Sequence, residues 1–382
     1  MTSNESTTMT NRNWSQISST FNLPNRNQKK PSEYQFIGSI SDSDEPNDMD
    51  VFLARRRLDN QPCSIKVMRK KKYIEDKKID ETFRELDILK SLRHKYIVPI
   101  YSAFINKDHL FLEMEFGIRG TLESLINEDP MMASICVRFY TSQMVIALDY
   151  LRSQQIVHRD LRPANVLINH KGYIKLTNFS CAIHIPENLC ISMVPRISAY
   201  SAPEMIGLED HDFAVDWWSL GVIMFQMIYN SFPFISNVLG EQLVSRETYI
   251  QILLEAIEHG VILFPNGEDD ARRNLSANKF IRRLLSPEPG DRLMSMNSIK
   301  KRTFFSIANI KWEDLLNEKI PSPHLPSEVR LPWNPTDPPN DSTSNEQDAQ
   351  IEEGLVYPDW QYPVPNNHEY EEDVFSTFFY LP

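Results

Sequence analysis

The sequence predicts an α+β chain of two lobes, a small β-sheet-plus-helix lobe followed by a larger, mainly helical one, with a long tail behind them. Three observations carry this expectation. Strand-like segments bounded by turn residues cluster before residue 116, and helical patterns dominate from Gly120 to about residue 305. Prolines and acids then take over, as in "NPTDPPND" and "QIEEGLVYPDWQYPVP". With 382 residues, 41% of them hydrophobic, the chain can bury a sizeable core.

Taken in order, residues 1–33 are rich in Ser, Thr and Asn and lack periodicity, so a disordered segment is expected there. "YQFIGSI", "DVFLARRRL" and "PCSIKVM" read as three strands. "RKKKY" (Arg69–Tyr73) reads as the solvated start of a helix. "KKIDETFRELDILKSL" then sets Ile79, Phe83, Leu86 and Leu89 at helical spacing. Two further strands, "YSAFIN" and "HLFLEMEF", flank the turn residues Lys107-Asp108. "MASICVRFYTSQMVIALDYLRSQ" reads as a long helix, and "DWWSLGVIMFQMIY" as an apolar, buried one. The first lobe is thus expected over 34–116, the second over 117–305 and the tail over 306–382. The tail ends in an aromatic cluster, "FSTFFYLP", which would be costly to leave in water.

The formal charge of −12 argues against nucleic-acid binding, which needs a basic face. The four cysteines, Cys63, Cys136, Cys181 and Cys190, form neither a CxxC pair nor a zinc spacing, and they are too sparse for a disulfide framework. The longest apolar stretch, Trp217–Tyr229, is too short to span a membrane, and the polar N-terminus lacks the apolar run of a signal peptide. A cytoplasmic protein is expected. Asn178-Phe179-Ser180 matches the N-glycosylation pattern, as Asn13-Trp14-Ser15 does, but the expected compartment gives the match no use.

The motif with the most chemistry is "HRDLRPANVLIN", His158–Asn169. It resembles the catalytic loop of protein kinases, H-R-D-L-x-x-x-N. The resemblance implies that Asp160 accepts the proton of a substrate hydroxyl, that Asn165 holds a magnesium ion and that Arg162 contacts the γ-phosphate. It also implies that Lys66, in "SIKVMRK", meets the ATP phosphates when paired with Glu85. Adenine would then lie near Met114, Glu115 and Phe116. Ala202-Pro203-Glu204 resembles the end of an activation segment, "DWWSLGV" the helix anchored by an Asp (here Asp216), and "PGDRL" supplies Arg292 as the buried partner of Glu204. In detail the chain is most similar to the AGC group of serine/threonine kinases, near protein kinase C. In that group the terminal Phe375, Phe378 and Tyr380 would dock back onto the small lobe.

Three departures from the pattern bear on function. First, "IKLTNFS" stands where these kinases have I-K-L-T-D-F-G, so Asn178 replaces the carboxylate that ligates magnesium and Ser180 replaces the glycine, while Phe179 keeps its packing role. A neutral amide is a weaker ligand for a hard cation than a carboxylate. Second, of the glycine-rich phosphate loop only Gly38 remains, and the longer turn carries Asp42, Asp44, Glu45, Asp48 and Asp50, which would repel a triphosphate unless they point into solvent. Third, the phosphorylated Thr of the activation segment aligns with Met193 and a second Thr with Ile197. The tail phosphosite aligns with Phe379. Arg159 then has no phosphate to grip unless Ser192 serves.

Three functions stay open on these residues. One is a pseudokinase or very weak kinase acting as an allosteric or scaffolding signalling module. Another is an active serine/threonine kinase using ATP and Mg²⁺ in an atypical metal arrangement. The last is an interaction protein working through its acidic tail. Protein partners or substrates are expected in each case, with the chain as a monomer or in a heteromeric complex, and ATP and Mg²⁺ belong only to an active or nucleotide-binding form.

Overall fold

The computed structural model describes residues 30–40, 49–76, 78–186, 189–192, 197–234, 275–308, 310–326 and 328, with isolated positions between 251 and 264 and Leu331. The described chain divides into two compact units. The first holds residues up to Leu92 and Val98–Phe116, and the second holds Arg93–Ile97 and the chain from Gly117 to Glu328. Phe116 ends the first unit, and Gly117 continues in the second. Arg93–Ile97 was expected in the first unit and belongs to the second.

The first unit is built on one antiparallel sheet of order β1-β2-β3-β5-β4. Its strands are β1 (Tyr34–Ser39), β2 (Met49–Arg56), β3 (Pro62–Arg69), β4 (Ile100–Ile105) and β5 (His109–Glu115). The period-2 alternation sorts their side chains onto two faces. Tyr34, Phe36, Phe52, Ile65, Val67, Phe104 and Phe111 form one buried cluster. Met68, Leu110 and Leu112 point the other way, into a cluster with Phe83 and Leu86 of helix α2 (Ile79–Ser91). Helix α1 (Lys70–Glu75), which carries the basic cluster, buries none of its residues, as its charge predicts. The segment expected to be disordered reaches only partly into the described chain, where Pro31–Glu33 form a 3-10 turn with Pro31 buried. Residues 1–29 lie outside the description.

A carboxylate sits inside the aromatic face. Glu113 is fully buried, and it is held by Tyr34 Oη (2.8 Å), Ser102 Oγ (2.5 Å), Arg56 Nε (2.9 Å) and Arg56 Nη2 (2.8 Å). Burying a charge is tolerable only with such pairing. Burial and the neighbouring carboxylate push the Tyr34 hydroxyl far above its usual range of ionisation.

The second unit packs around two helices, α4 (Ser134–Ser153) and α6 (Ala214–Tyr229). Short α3 (Leu122–Glu128), capped by Thr121, precedes α4, and α5 (Pro203–Ile206) precedes α6. In α6 nearly every residue is buried, including Trp217 and Trp218, which is why its sequence is apolar all round. Gly221 faces α7 (Leu275–Leu284): a Cβ there would stand 2.9 Å from Leu284 Cβ. Two ribbons, β6 (Ile156–Val157) with β9 (Ile183–His184) and β7 (Val166–Ile168) with β8 (Ile174–Leu176), frame the loops described below. Helices α8 (Met296–Lys300), α9 (Thr303–Ser306) and α10 (Trp312–Leu316) close the unit.

The chain beyond residue 310 is held by three tyrosine hydroxyls. Tyr96 Oη donates to Leu315 O (2.5 Å), Tyr140 Oη to His324 O (3.2 Å) and Tyr173 Oη to Ile320 O. Part of the expected tail is therefore an integral layer of the second unit.

Candidate active site

The residues expected to handle ATP are divided between the two units, and each set is built within its own. In the first unit Lys66 lies in β3 on the face turned toward α2, beside Met68, and Glu85 projects from α2. Lys66 Nζ reaches both Glu85 oxygens, at 2.7 and 2.8 Å. Both side chains are only 4% exposed, so each charge depends on the other. Met114 and Glu115 end β5, opposite Ser64 and Cys63, and Phe116 follows at the unit's boundary with Met114 and Phe116 buried.

Gly38 is not in a loop. It lies in β1 opposite Leu53, just past a register shift after Phe36, and its φ is outside the left-handed region. Asp50 lies in β2 and pairs with Val67 of β3. The other acids of the turn, Asp42, Asp44, Glu45 and Asp48, lie outside the described residues, as do Met193 and the tail residues Phe375, Phe378, Phe379 and Tyr380.

In the second unit the catalytic-loop segment follows β6. Its backbone is fixed from below by Asp216 of α6. The Asp216 carboxylate accepts the amide N–H of His158 (2.8 Å) and of Arg159 (2.9 Å). Complete burial pushes its pKa up, and His158 and the two amide bonds oppose that rise. Arg159 takes a left-handed φ of 64°, a conformation that this anchoring must hold in place. His158 Nε2 bonds Thr177 O (3.0 Å), and its ring packs edge-on against Phe179 with centroids 4.8 Å apart. Phe179 is fully buried, as its expected packing role requires.

Three side chains then converge. Asn165, at the end of a 3-10 turn that starts at Pro163, donates through Nδ2 to Asp160 O (2.8 Å) and Asp160 Oδ2 (2.9 Å). Asn178 donates through its own Nδ2 to Asp160 Oδ2 (3.3 Å) and Asn165 Oδ1 (3.2 Å). Ser180 Oγ donates to Asn178 Oδ1 (2.9 Å). The network sets the amide orientation: turned over, Asn178 would press Oδ1 against two acceptors. Arg162 caps the 3-10 turn, and its carbonyl accepts Asn165 N (2.9 Å).

The activation segment is anchored without phosphate in the described residues. Arg159 Nε donates to Cys181 O (2.8 Å), Ile191 and His211 exchange backbone hydrogen bonds at 3.0 Å, and Ser192 Oγ donates to Asp210 Oδ1 (2.5 Å). A phosphate on Ser192 would meet the carboxylate of Asp210. Farther on, Glu204 and Arg292 form the expected buried pair at 2.5 and 2.6 Å.

Residues 49–305 match the protein kinase domain. This chain belongs to the protein kinase superfamily. Its similarity to serine/threonine-protein kinase Sgk1 of Homo sapiens and of Bos taurus places it in the AGC group. Identity to each is 31% over 303 residues, which cover 78% of this chain and 65% of the relative. Sgk1-A of Xenopus laevis matches to the same extent. The match thus spans less than two thirds of the relatives' own length. Among the described residues no helix is long and apolar enough to cross a membrane.

Kinases of this family work with ATP and Mg²⁺, so the donor set can be tested against that ion. Magnesium asks for hard oxygen ligands, carboxylates above all. Here one carboxylate, Asp160, stands with two neutral amides. The Oδ1 of each amide is already hydrogen-bonded, and the Nδ2 of Asn178 aims its hydrogens at Asp160 Oδ2 and Asn165 Oδ1. The arrangement does not fit a magnesium site of the family's kind.

Sequence reasoning placed Asp160, Asn165, Asn178, Phe179 and Lys66 by motif, and the structure brings the first three together as it does Lys66 with Glu85. It missed the hydrogen bond from Ser180 to Asn178. The signal was present, since serine stands where the family pattern has glycine, but its meaning required the amide geometry.

Proposed function

We propose that this kinase-domain protein is a pseudokinase or a very weak kinase that serves as an allosteric or scaffolding module for protein partners. The observation that carries the proposal is the Asn178 amide, which directs N–H donors at Asp160 Oδ2 and Asn165 Oδ1. Charge stabilisation by metal ions contributes several kcal/mol to phosphoryl transfer, so its loss costs several powers of ten in rate. The sequence of the acidic turn, five acids where glycines are expected, points the same way.

A second reading, a working serine/threonine kinase, has one observation in its favour. The bidentate pair of Lys66 with Glu85 is intact. In that reading Asp160 accepts the proton of a Ser or Thr hydroxyl and Lys66 steadies the phosphates of ATP.

Phosphotransfer from ATP to mixed Ser/Thr peptides, with and without Mg²⁺, separates the two. The proposal expects turnover at the level of an Asp160→Ala control or several powers of ten below the ~1–100 per second usual for kinases. Magnesium-dependent peptide phosphorylation by the unaltered protein within that usual range, abolished in Asp160→Ala, overturns it.

A further inference from the structure

We propose that Asn178 and Ser180 together form a metal-independent clasp, in which a serine-held amide takes over the positioning work of a bound cation and keeps Phe179 packed on His158. The inference rests on the reading above only in that the segment has ceased to serve magnesium.

The argument is one of satisfied valences. An asparagine amide has two N–H donors and one carbonyl acceptor. Asn178 spends its nitrogen on Asp160 Oδ2 and Asn165 Oδ1, and its carbonyl oxygen on the Ser180 hydroxyl. Each departure from the family pattern completes the other. An aspartate at 178 would bring only acceptors to within about 3.3 Å of the oxygens of Asp160 and Asn165, an arrangement that needs a bridging cation or a shared proton. A glycine at 180 would leave the amide carbonyl without its donor.

The backbone accepts both residues at no evident strain. Asn178 adopts the left-handed conformation, φ 60° and ψ 69°, which asparagine tolerates better than most residues. Ser180 lies within the 3-10 turn Phe179–Cys181 and has no left-handed φ. The segment is pinned on either side of the clasp. Thr177 donates its N–H to Asn165 O (3.0 Å) and its carbonyl accepts His158 Nε2, while Cys181 O accepts from Arg159 Nε. Between these points Phe179 is fully buried. The clasp therefore holds the 177–181 segment in one conformation whatever occupies the site, and a partner would meet the same surface with or without nucleotide. Ser180 acts through Asn178 and is a positioning residue.

The test is amide hydrogen exchange across residues 177–182 of the full chain, in chelator and again in millimolar Mg²⁺. For the unaltered protein the expected protection is the same in both, and a requirement for Mg²⁺ overturns the proposal without any variant being made. Ser180→Ala is expected to raise exchange there roughly threefold to tenfold, the range that one lost hydrogen bond gives. Ser180→Thr, which keeps the hydroxyl, is expected to restore it. Asn178→Asp is expected to lose protection in chelator and to regain it with Mg²⁺, a response that a purely structural role for Asn178 would not give. Unchanged exchange in Ser180→Ala overturns the clasp, and it does so independently of any peptide phosphorylation result.

Discussion

Lys66 and Glu85 form a bidentate ion pair at 2.7 and 2.8 Å in which neither side chain is more than 4% exposed. A buried pair of this kind is costly to break from one side, because the survivor stays charged without a partner. Glu85→Leu and Lys66→Met should each destabilise the first unit by about 3–5 kcal/mol, and the two together by clearly less than the sum. Urea denaturation of the four proteins measures the coupling. Additive single losses would mean that the pair is not the source of the cost.

The other buried charge of that unit lies on the opposite face of the sheet. Glu113→Gln keeps an acceptor for Tyr34 and Ser102 but sets an amide against Arg56, which now holds the carboxylate at 2.8 and 2.9 Å. The expected loss is about 2–4 kcal/mol by thermal or chemical denaturation, with Arg56→Met similar or smaller because Arg56 also meets Asp59 in partial solvent. A loss under about half a kcal/mol would show that the network does not hold the sheet.

These two sites divide what was legible in the sequence from what was not. Lys66 and Glu85 were legible because a strand motif and a helical period fixed both positions, and the family pattern supplied their pairing. Glu113 was not, since nothing local says that a Glu between Leu112 and Met114 faces inward. Its partners come from β1, β2 and β4 through long-range register. The same holds for Ser180, whose hydroxyl acquires its role only when Asn178 turns left-handed. Strands and helices, set by local periodicity, appeared where expected. Arg93–Ile97 fall in the second unit through pairings that no local pattern announces: Tyr96 O accepts Leu176 N (2.9 Å) and Ile97 bridges to Leu176.

Acid should weaken the second unit through His94. Burial, then Lys175 and Lys95, lower its pKa from 6.5 to about 4, and its ring stacks on Tyr150 at 4.6 Å. Because the folded value is depressed, the unfolded chain binds the extra proton first. The contribution is complete above about pH 6.5 and is lost as pH falls toward 4. Allowing for solvent screening of a part-exposed ring, about 1–2 kcal/mol is at stake. The urea midpoint against pH should be flatter in this window for His94→Gln than for the unaltered protein. Since His109 and His211 are also lowered by burial, it is the difference between the two curves that matters. Parallel curves would exclude His94.

The three tyrosine hydroxyls on the 315–324 segment make a graded prediction. Tyr96→Phe, Tyr140→Phe and Tyr173→Phe should cost about 0.5–1.5 kcal/mol each, the price of one hydrogen bond. Ending the chain at Ile310 should cost more than any of them, since it also removes buried Leu315 and the ion pair of Glu318 with Lys171. A shortened protein as stable as the full chain would show that the segment is not part of the unit.

Glu204 and Arg292 give the sharpest test of the scaffold. Arg292 meets both Glu204 oxygens, donates to Ser286 O and Pro287 O, and lies over the Trp218 ring at 5.0 Å. Lysine keeps the charge but not the planar fork, so Arg292→Lys cannot reproduce the bidentate contact or satisfy both carbonyls. A loss of about 3–5 kcal/mol is expected for Arg292→Lys and for Glu204→Gln alike, against a smaller one for the paired change to Leu and Met. Because α5 follows directly on the activation segment, exchange at Ser198–Ile206 should rise in both single variants. A lysine variant that unfolds at the same urea concentration as the parent would show that charge alone, without the fork, is enough.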